Sequence, residues 1–169
     1  HQVQFNEYEL FKYPDYTLPL AVKMCQVHQR YRLDILHVHY AVPHATAALL
    51  ARQILCRNGE AGPRVVTTLH GTDITLLGQD PSLQPIIVYS IAASHGVTAV
   101  SESLKRDTLT TFGLRLEIAV IHNFFTPKPP SEPRAAVRRA LGVADDQILA
   151  IHLSNLRPLQ RLPDVLASL

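Results

Sequence analysis

His70 and Asp73 stand close together in the stretch VVTTLHGTDIT (residues 65–75), where an apolar, β-branched run gives way to polar side chains. An imidazole and a carboxylate are the groups there that can carry protons or accept strong hydrogen bonds, and Gly71 between them lets the backbone turn sharply or approach a ligand closely. This is how a buried parallel strand that delivers side chains to a ligand at its carboxyl end is written. A strand end closed by an ordinary polar turn reads the same way, so the stretch acquires meaning only from its neighbours.

Those neighbours repeat the pattern. Tyr40 and His44 follow the short apolar run 35–39, Ser101 and Ser103 follow 96–100, and His122 and Asn123 follow 117–121. A parallel sheet would bring all these clusters, with Thr68, His70, Gly71 and Asp73, to one crevice. His37 and His39 alternate on one strand and share a face. Together with His44 and His70 they could be drawn as a metal site, but ligand sets usually add carboxylates at clear spacing and strand-end imidazoles often only hydrogen-bond the backbone, so no metal is expected. Ser101 as a nucleophile would need a positioned base and acid, whereas ahead of a helical pattern it reads as a helix cap. The GxGxxG, GxxxxGK[ST] and GxSxG motifs are absent, which leaves dinucleotide, P-loop and hydrolase-elbow readings without their signatures. Near the carboxyl terminus Asn155, Arg157 and Arg161 precede another helical pattern, and guanidinium groups beside helix-start amides suit a phosphate. A solvated surface turn is the alternative there.

The elements that must position these side chains alternate. Residues 1–5 read as a strand, followed by an aromatic loop with Tyr8, Phe11, Tyr13 and Tyr16. Thr17 is expected to cap a helix that tolerates Pro19 early and repeats apolar residues at Leu20, Met24, Val27 and Tyr31. Then come a strand at 35–39, a loop at 40–44, an alanine-rich helix at 45–55 stopped by Asn58 and Gly59, and the central strand 64–69. Asp80 and Pro81 are expected to cap and begin a helix over 82–94, before a strand at 96–100, a helix at 102–112 ended by Gly113, and a strand at 117–121. This rhythm predicts an α/β fold with a parallel sheet covered on both faces. Residues 126–133 hold four prolines and read as a semi-rigid linker. Beyond it a short helix at 135–141 closed by Gly142, a buried strand at 148–153, and a basic turn entering a last helix suggest the start of a further unit.

Length and composition bound the rest. The 169 residues suffice for one domain, or one domain and a piece of another, and 47% apolar residues fit a soluble globular protein. A formal net charge of +2 with interspersed charges gives no basic stripe for nucleic acid. Cys25 and Cys56 form no CxxC pair, which favours a reduced, cytoplasmic setting, and no apolar run approaches the roughly 20 residues of a membrane span.

The strings HVHYAVPHA (37–45), TTLHGTDIT (67–75), LGQDPSL (77–83), TAVSESL (98–104) and HLSNLRPLQR (152–161) resemble the N-acetyl-α-D-glucosaminyl L-malate synthases, retaining glycosyltransferases of family 4 with the GT-B fold. The resemblance runs the length of the chain. It implies an incomplete Rossmann-like, parallel-sheet, acceptor-side domain over 1–125 that lacks its first strand and glycine-rich loop. The linker 126–133 and the beginning of a second Rossmann-like, donor-binding domain over 134–169 would follow. The implied reaction is transfer of N-acetylglucosamine from UDP-N-acetylglucosamine to L-malate in bacillithiol biosynthesis, with no cofactor beyond the UDP-sugar substrate, no metal, and no nucleic-acid or membrane partner. A homo-oligomer is compatible with it. By resemblance His70 is catalytic, Tyr40, Thr68, Gly71 and Ser101 lie on the acceptor side, and Asn155, Arg157, Gln160 and Arg161 face the donor. Relatives usually carry lysine where Gln160 stands. The chain by itself is expected to be inactive, and a family 4 transferase with another acceptor or a non-catalytic binding remnant are the other readings.

Overall fold

The computed structural model describes residues 16–59, 61–75, 77–153 and 161–168. The expected strand at 1–5 and most of the basic turn at 154–161 lie outside them. The chain divides into two compact units, 1–124 and 125–169.

The first unit is built on a parallel four-stranded sheet in the order β1 (Ile35–His39), β2 (Arg64–Leu69), β3 (Gly96–Ala99) and β4 (Ala119–Val120). The central strand has the bounds its β-branched run predicts, because Val and Thr side chains suit a pleated, buried surface. β4 is shorter than the 117–121 expected. Helices α1 (Thr17–Tyr31), α2 (Thr46–Leu55), α3 (Thr72–Thr75), α4 (Gln84–Ala92) and α5 (Glu102–Phe112) accompany the sheet.

The strands run in chain order, and right-handed crossovers between successive parallel neighbours put their helices on the same side. The burial pattern agrees. Leu36, Val38, Val65, Thr67, Leu69, Val97 and Ala99 are buried, while on the opposite face His37 and His39 are exposed, Val66 and Thr98 are only partly covered, and Thr68, between its strand neighbours, is buried. Among the described residues, then, helices cover one face of the sheet and not both. The covered side holds two clusters. One packs Ala21 and Cys25 of α1 and Ala47, Ala48 and Ala51 of α2 on Leu36, Val38 and Val65. The other gathers Leu69, Ile74, Ile87, Ile91, Val97, Leu104 and Ile118. Full burial of an isoleucine such as Ile87 or Ile91 contributes roughly 1.5–3 kcal/mol, so α4 is held mainly by this contact.

Helix ends follow local chemistry. Ser101 caps α5, its Oγ accepting the Leu104 N–H at 3.1 Å, and Gly113 ends the helix in the left-handed region. At α1 the cap position is Tyr16 and Thr17 is the first helical residue, not the cap. The expected start of α4 at Asp80 is also displaced. The Asp80 carboxylate is taken up by the Ser82 amide and hydroxyl in a local turn, and the helix begins at Gln84 with Pro85 in its first turn. Residues 41–45 form a kinked turn in place of an open loop, with Val42 extended (φ −125°, ψ 140°), a cis Val42–Pro43 bond, and the Ala45 amide closing on the Tyr40 carbonyl at 3.2 Å.

In the second unit, α6 (Arg134–Ala140) and α7 (Leu162–Ala167) are helical. The buried strand expected at 148–153 is not formed, and Ile148 and Leu153 are almost fully exposed. An apolar run becomes a strand only when another strand pairs with its amides and a layer covers its side chains, and the described residues of this unit supply neither.

Candidate functional site

A crevice of about 310 Å³ opens on the sheet face that the helices leave bare. His37, His39, Thr68 and Thr98 line it along the strands, and His70, His122, Asn123 and Phe124 close its carboxyl end. Two of the polar clusters foreseen at strand ends, Thr68 with His70 and His122 with Asn123, thus line it, whereas Tyr40, His44, Ser101 and Ser103 do not, and the crevice extends along the open face rather than sitting only at the strand tips. A larger hollow of about 480 Å³ between α2 and α4, lined by Arg52, Cys56, Arg57 and Tyr89, contains none of the strand-end residues. The smaller crevice is the candidate site because the convergent polar groups are there.

Strand register assembles the lining. His39 pairs with Thr68 and Thr68 with Thr98 across the sheet. As a result Thr68 Oγ1 lies 2.8 Å from His37 Nε2 and 2.7 Å from Thr98 Oγ1. A hydroxyl has one hydrogen to donate, so Thr68 is already the middle member of a three-residue relay and meets a ligand only through its remaining lone pair.

The histidines form a second layer. His39 Nδ1 is 2.7 Å from His70 Nε2, and the His39 ring lies against that of His37 with centroids 4.9 Å apart. His44 Nδ1–H donates to the His39 carbonyl at 2.6 Å, and His122 Nδ1–H donates to the Val100 carbonyl at 3.0 Å, which fixes both tautomers. His39 as a whole is exposed, yet its ring is crowded. Partial burial first, and then the charges His37, His70 and His44 would carry, hold its pKa below the ordinary imidazole range.

The turns beneath are stitched by Asp73. Wholly buried, its carboxylate accepts the Ala41 amide at 3.0 Å and the Gly71 amide at 3.1 Å. Gly71 has φ +116°, a conformation side-chain-bearing residues rarely adopt, and its carbonyl accepts the amides of Ile74 and Thr75 to start α3. Tyr40 also has a positive φ, of 76°, held by its amide bonding to the Thr68 carbonyl at 2.9 Å. Such a strained residue persists where its surroundings over-determine it. Here it sets the Tyr40 ring against that of His70, centroids 5.0 Å apart.

Of the other residues singled out in the sequence, Ser101 serves as the α5 cap, with Ser103 Oγ 3.0 Å away, and is not among the residues lining the crevice. Asn155, Arg157 and Gln160 lie outside the described residues. Arg161 stands at the start of α7 in the second unit and pairs with Asp164 of that helix. Among the described residues no three His, Cys, Asp or Glu side chains are grouped to hold a metal ion. Thr98, Val66 and Phe124 were not anticipated as lining, since only the register and the bare face reveal them.

The Glycosyltransferase Family 4 sequence profile matches residues 1–129. The chain belongs to Glycosyltransferase Family 4. Over 166 residues, 98% of this chain, it is 44% identical to the N-acetyl-alpha-D-glucosaminyl L-malate synthase of Bacillus anthracis. The chain spans 42% of that relative's length. The four-stranded parallel sheet is the partial Rossmann-like domain expected of the family. No helix among the described residues is long and apolar enough to cross a membrane.

Proposed function

We propose that this chain is the acceptor-side portion, with the beginning of the donor-binding domain, of a GT-B glycosyltransferase. The reaction is transfer of N-acetylglucosamine from UDP-N-acetylglucosamine to the hydroxyl of L-malate, with retention at the anomeric carbon, in the cytoplasmic synthesis of bacillithiol. The observation that carries this reading is the 44% identity, across nearly all of the chain, to a relative named for that product. The crevice supports it. A dianionic hydroxy acid needs several hydrogen-bond donors within reach, and imidazoles, hydroxyls and Asn123 surround this cleft.

Each group then has a role. His70 orients the reacting sugar or the malate hydroxyl by hydrogen bonding and is not a covalent nucleophile. Tyr40 contributes its hydroxyl toward malate and Thr68 its remaining lone pair, and Gly71 and the Ser101 turn shape the acceptor side. As UDP departs, negative charge grows on its β-phosphate, and Asn155, Arg157 and Arg161 are the donors that meet it. Stabilising charge that appears only in the transition state is the most effective use of such groups. Because the chain spans less than half of its relative, these 169 residues are not expected to turn over unaided.

The test is an acceptor panel. The full-length protein, given UDP-N-acetylglucosamine, should release UDP with L-malate and far more slowly with glycolate, lactate or tartrate. Preference for another hydroxy acid would make it a family 4 transferase of different acceptor, and no turnover with any would point to a binding remnant.

A further inference from the structure

Two imidazoles meet nitrogen to nitrogen at the carboxyl edge of the sheet. His39 closes β1 and His70 follows β2, with His39 Nδ1 2.7 Å from His70 Nε2 and ring centroids 5.0 Å apart. Contact this short persists only when one nitrogen carries a hydrogen and the other offers its lone pair. Two neutral rings meet that condition, as do one neutral and one cationic ring. Two cationic rings would oppose N–H to N–H and part.

We propose that His39 is a positioning residue for sugar transfer: its Nδ1 accepts the Nε2–H of His70, fixing the His70 ring and leaving His70 Nδ1 as the lone-pair acceptor for a substrate hydroxyl. The role rests on the sugar-transfer reading given above. The direction of the shared hydrogen follows from tautomer preference. An isolated neutral imidazole favours the hydrogen on Nε2, and two rings in that ordinary form make this bond as found, whereas the reverse direction needs both rings in the less favoured form.

The surroundings keep His39 an acceptor. His37 lies against its ring, His44 donates to its own carbonyl, and the Tyr40 ring lies against that of His70. His122 and Asn123 face the same crevice from beyond β4. The carboxylate in the adjoining turn, Asp73, is occupied by two backbone amides. A ring ringed by imidazoles resists taking a proton, in line with its lowered pKa, and so retains its lone pair. The backbone brings the rings together: His39 is in register with Thr68, and the Tyr40 amide bonds the Thr68 carbonyl, clamping the strand ends from which both histidines project.

The test uses the full-length protein as wild type, His39→Phe, which keeps a ring but no acceptor, and His39→Asn, which restores an acceptor near the Nδ1 position. Long-range ¹H–¹⁵N spectra should show His70 as a single Nε2–H tautomer in the wild type and in His39→Asn, and as a tautomer mixture in His39→Phe. With UDP-N-acetylglucosamine and L-malate, kcat should fall about tenfold or more in His39→Phe at little change in the KM for donor, and recover most of the loss in His39→Asn. Wild-type-like thermal unfolding of His39→Asn keeps the comparison sound should His39→Phe fold poorly. An unchanged His70 spectrum in His39→Phe, or the Nδ1–H form in the wild type, overturns the proposal. The spectra need no turnover, so they stand even where the malate reading fails.

Discussion

The Asp73 carboxylate and the Ala41 amide, 3.0 Å apart, tie the turn after β1 to the turn after β2. Because the other carboxylate oxygen holds the Gly71 amide, one buried side chain satisfies a backbone donor from each turn that carries site residues. Tyr40 and His70 therefore keep their relative placement through the amides of their chain neighbours, Ala41 and Gly71.

Asp73→Asn should remove this double acceptance at nearly constant volume, since an amide offers one acceptor and opposes an N–H to the second donor. A stability loss of about 1–3 kcal/mol is expected, the scale of a buried donor left unsatisfied. Chemical denaturation of the full-length protein measures it. A loss below about 0.5 kcal/mol would mean that the turns hold without the carboxylate.

His70→Ala should lower kcat by roughly 10² while leaving the unfolding transition near its wild-type position, as for a contact realised mainly in the transition state. Steady-state kinetics with both substrates separates the outcomes. A raised KM at unchanged kcat would make His70 a binding residue only.

Acidification should destabilise the fold through His95 as well as His39. The Val65 amide donates to His95 Nδ1 at 3.2 Å, a bond available only to the unprotonated nitrogen. Partial burial, then the nearby charges of Arg52 and Arg64, hold the His95 pKa below the ordinary value. With the folded pKa lowered, the unfolded chain binds more protons between the folded value and about 6.5, so stability rises with pH across that window and is lost as pH falls through it. Melting temperature should drop between about pH 7.5 and pH 5, and His95→Asn, which keeps an acceptor without titrating, should flatten the slope. An unaltered slope in that variant would assign the pH response to other groups.

How far the sequence revealed all this differs by element. The run at 64–69 and the Ser101–Gly113 frame of α5 are legible because β-branched side chains, an N-cap hydroxyl and a left-handed glycine act locally. The start of α4 is not, because Asp80 has two local uses for its carboxylate and spends it on Ser82. His37 was visible as sharing a face with His39, but its bond to Thr68 depends on register between strands, which no single strand encodes. The bare sheet face is a consequence of strand order. Ile148 and Leu153 show the reverse error, an apolar strand pattern without a partner to make it a strand.

Gln160→Lys should tighten UDP binding in the full-length protein by about 1 kcal/mol, the scale of a charge-assisted hydrogen bond to phosphate. Titration calorimetry reads the change. No gain would mean that the diphosphate is not met from this position, or that Arg161 already serves it.

The most direct measurement follows the anomeric proton during turnover. Full-length protein incubated with UDP-N-acetylglucosamine and L-malate should yield, in the ¹H NMR spectrum, an α-configured N-acetylglucosaminyl malate as UDP is released, at a rate about 10² lower in His70→Ala. A β-configured product, or transfer to malate that proceeds unchanged without the His70 side chain, would contradict the account.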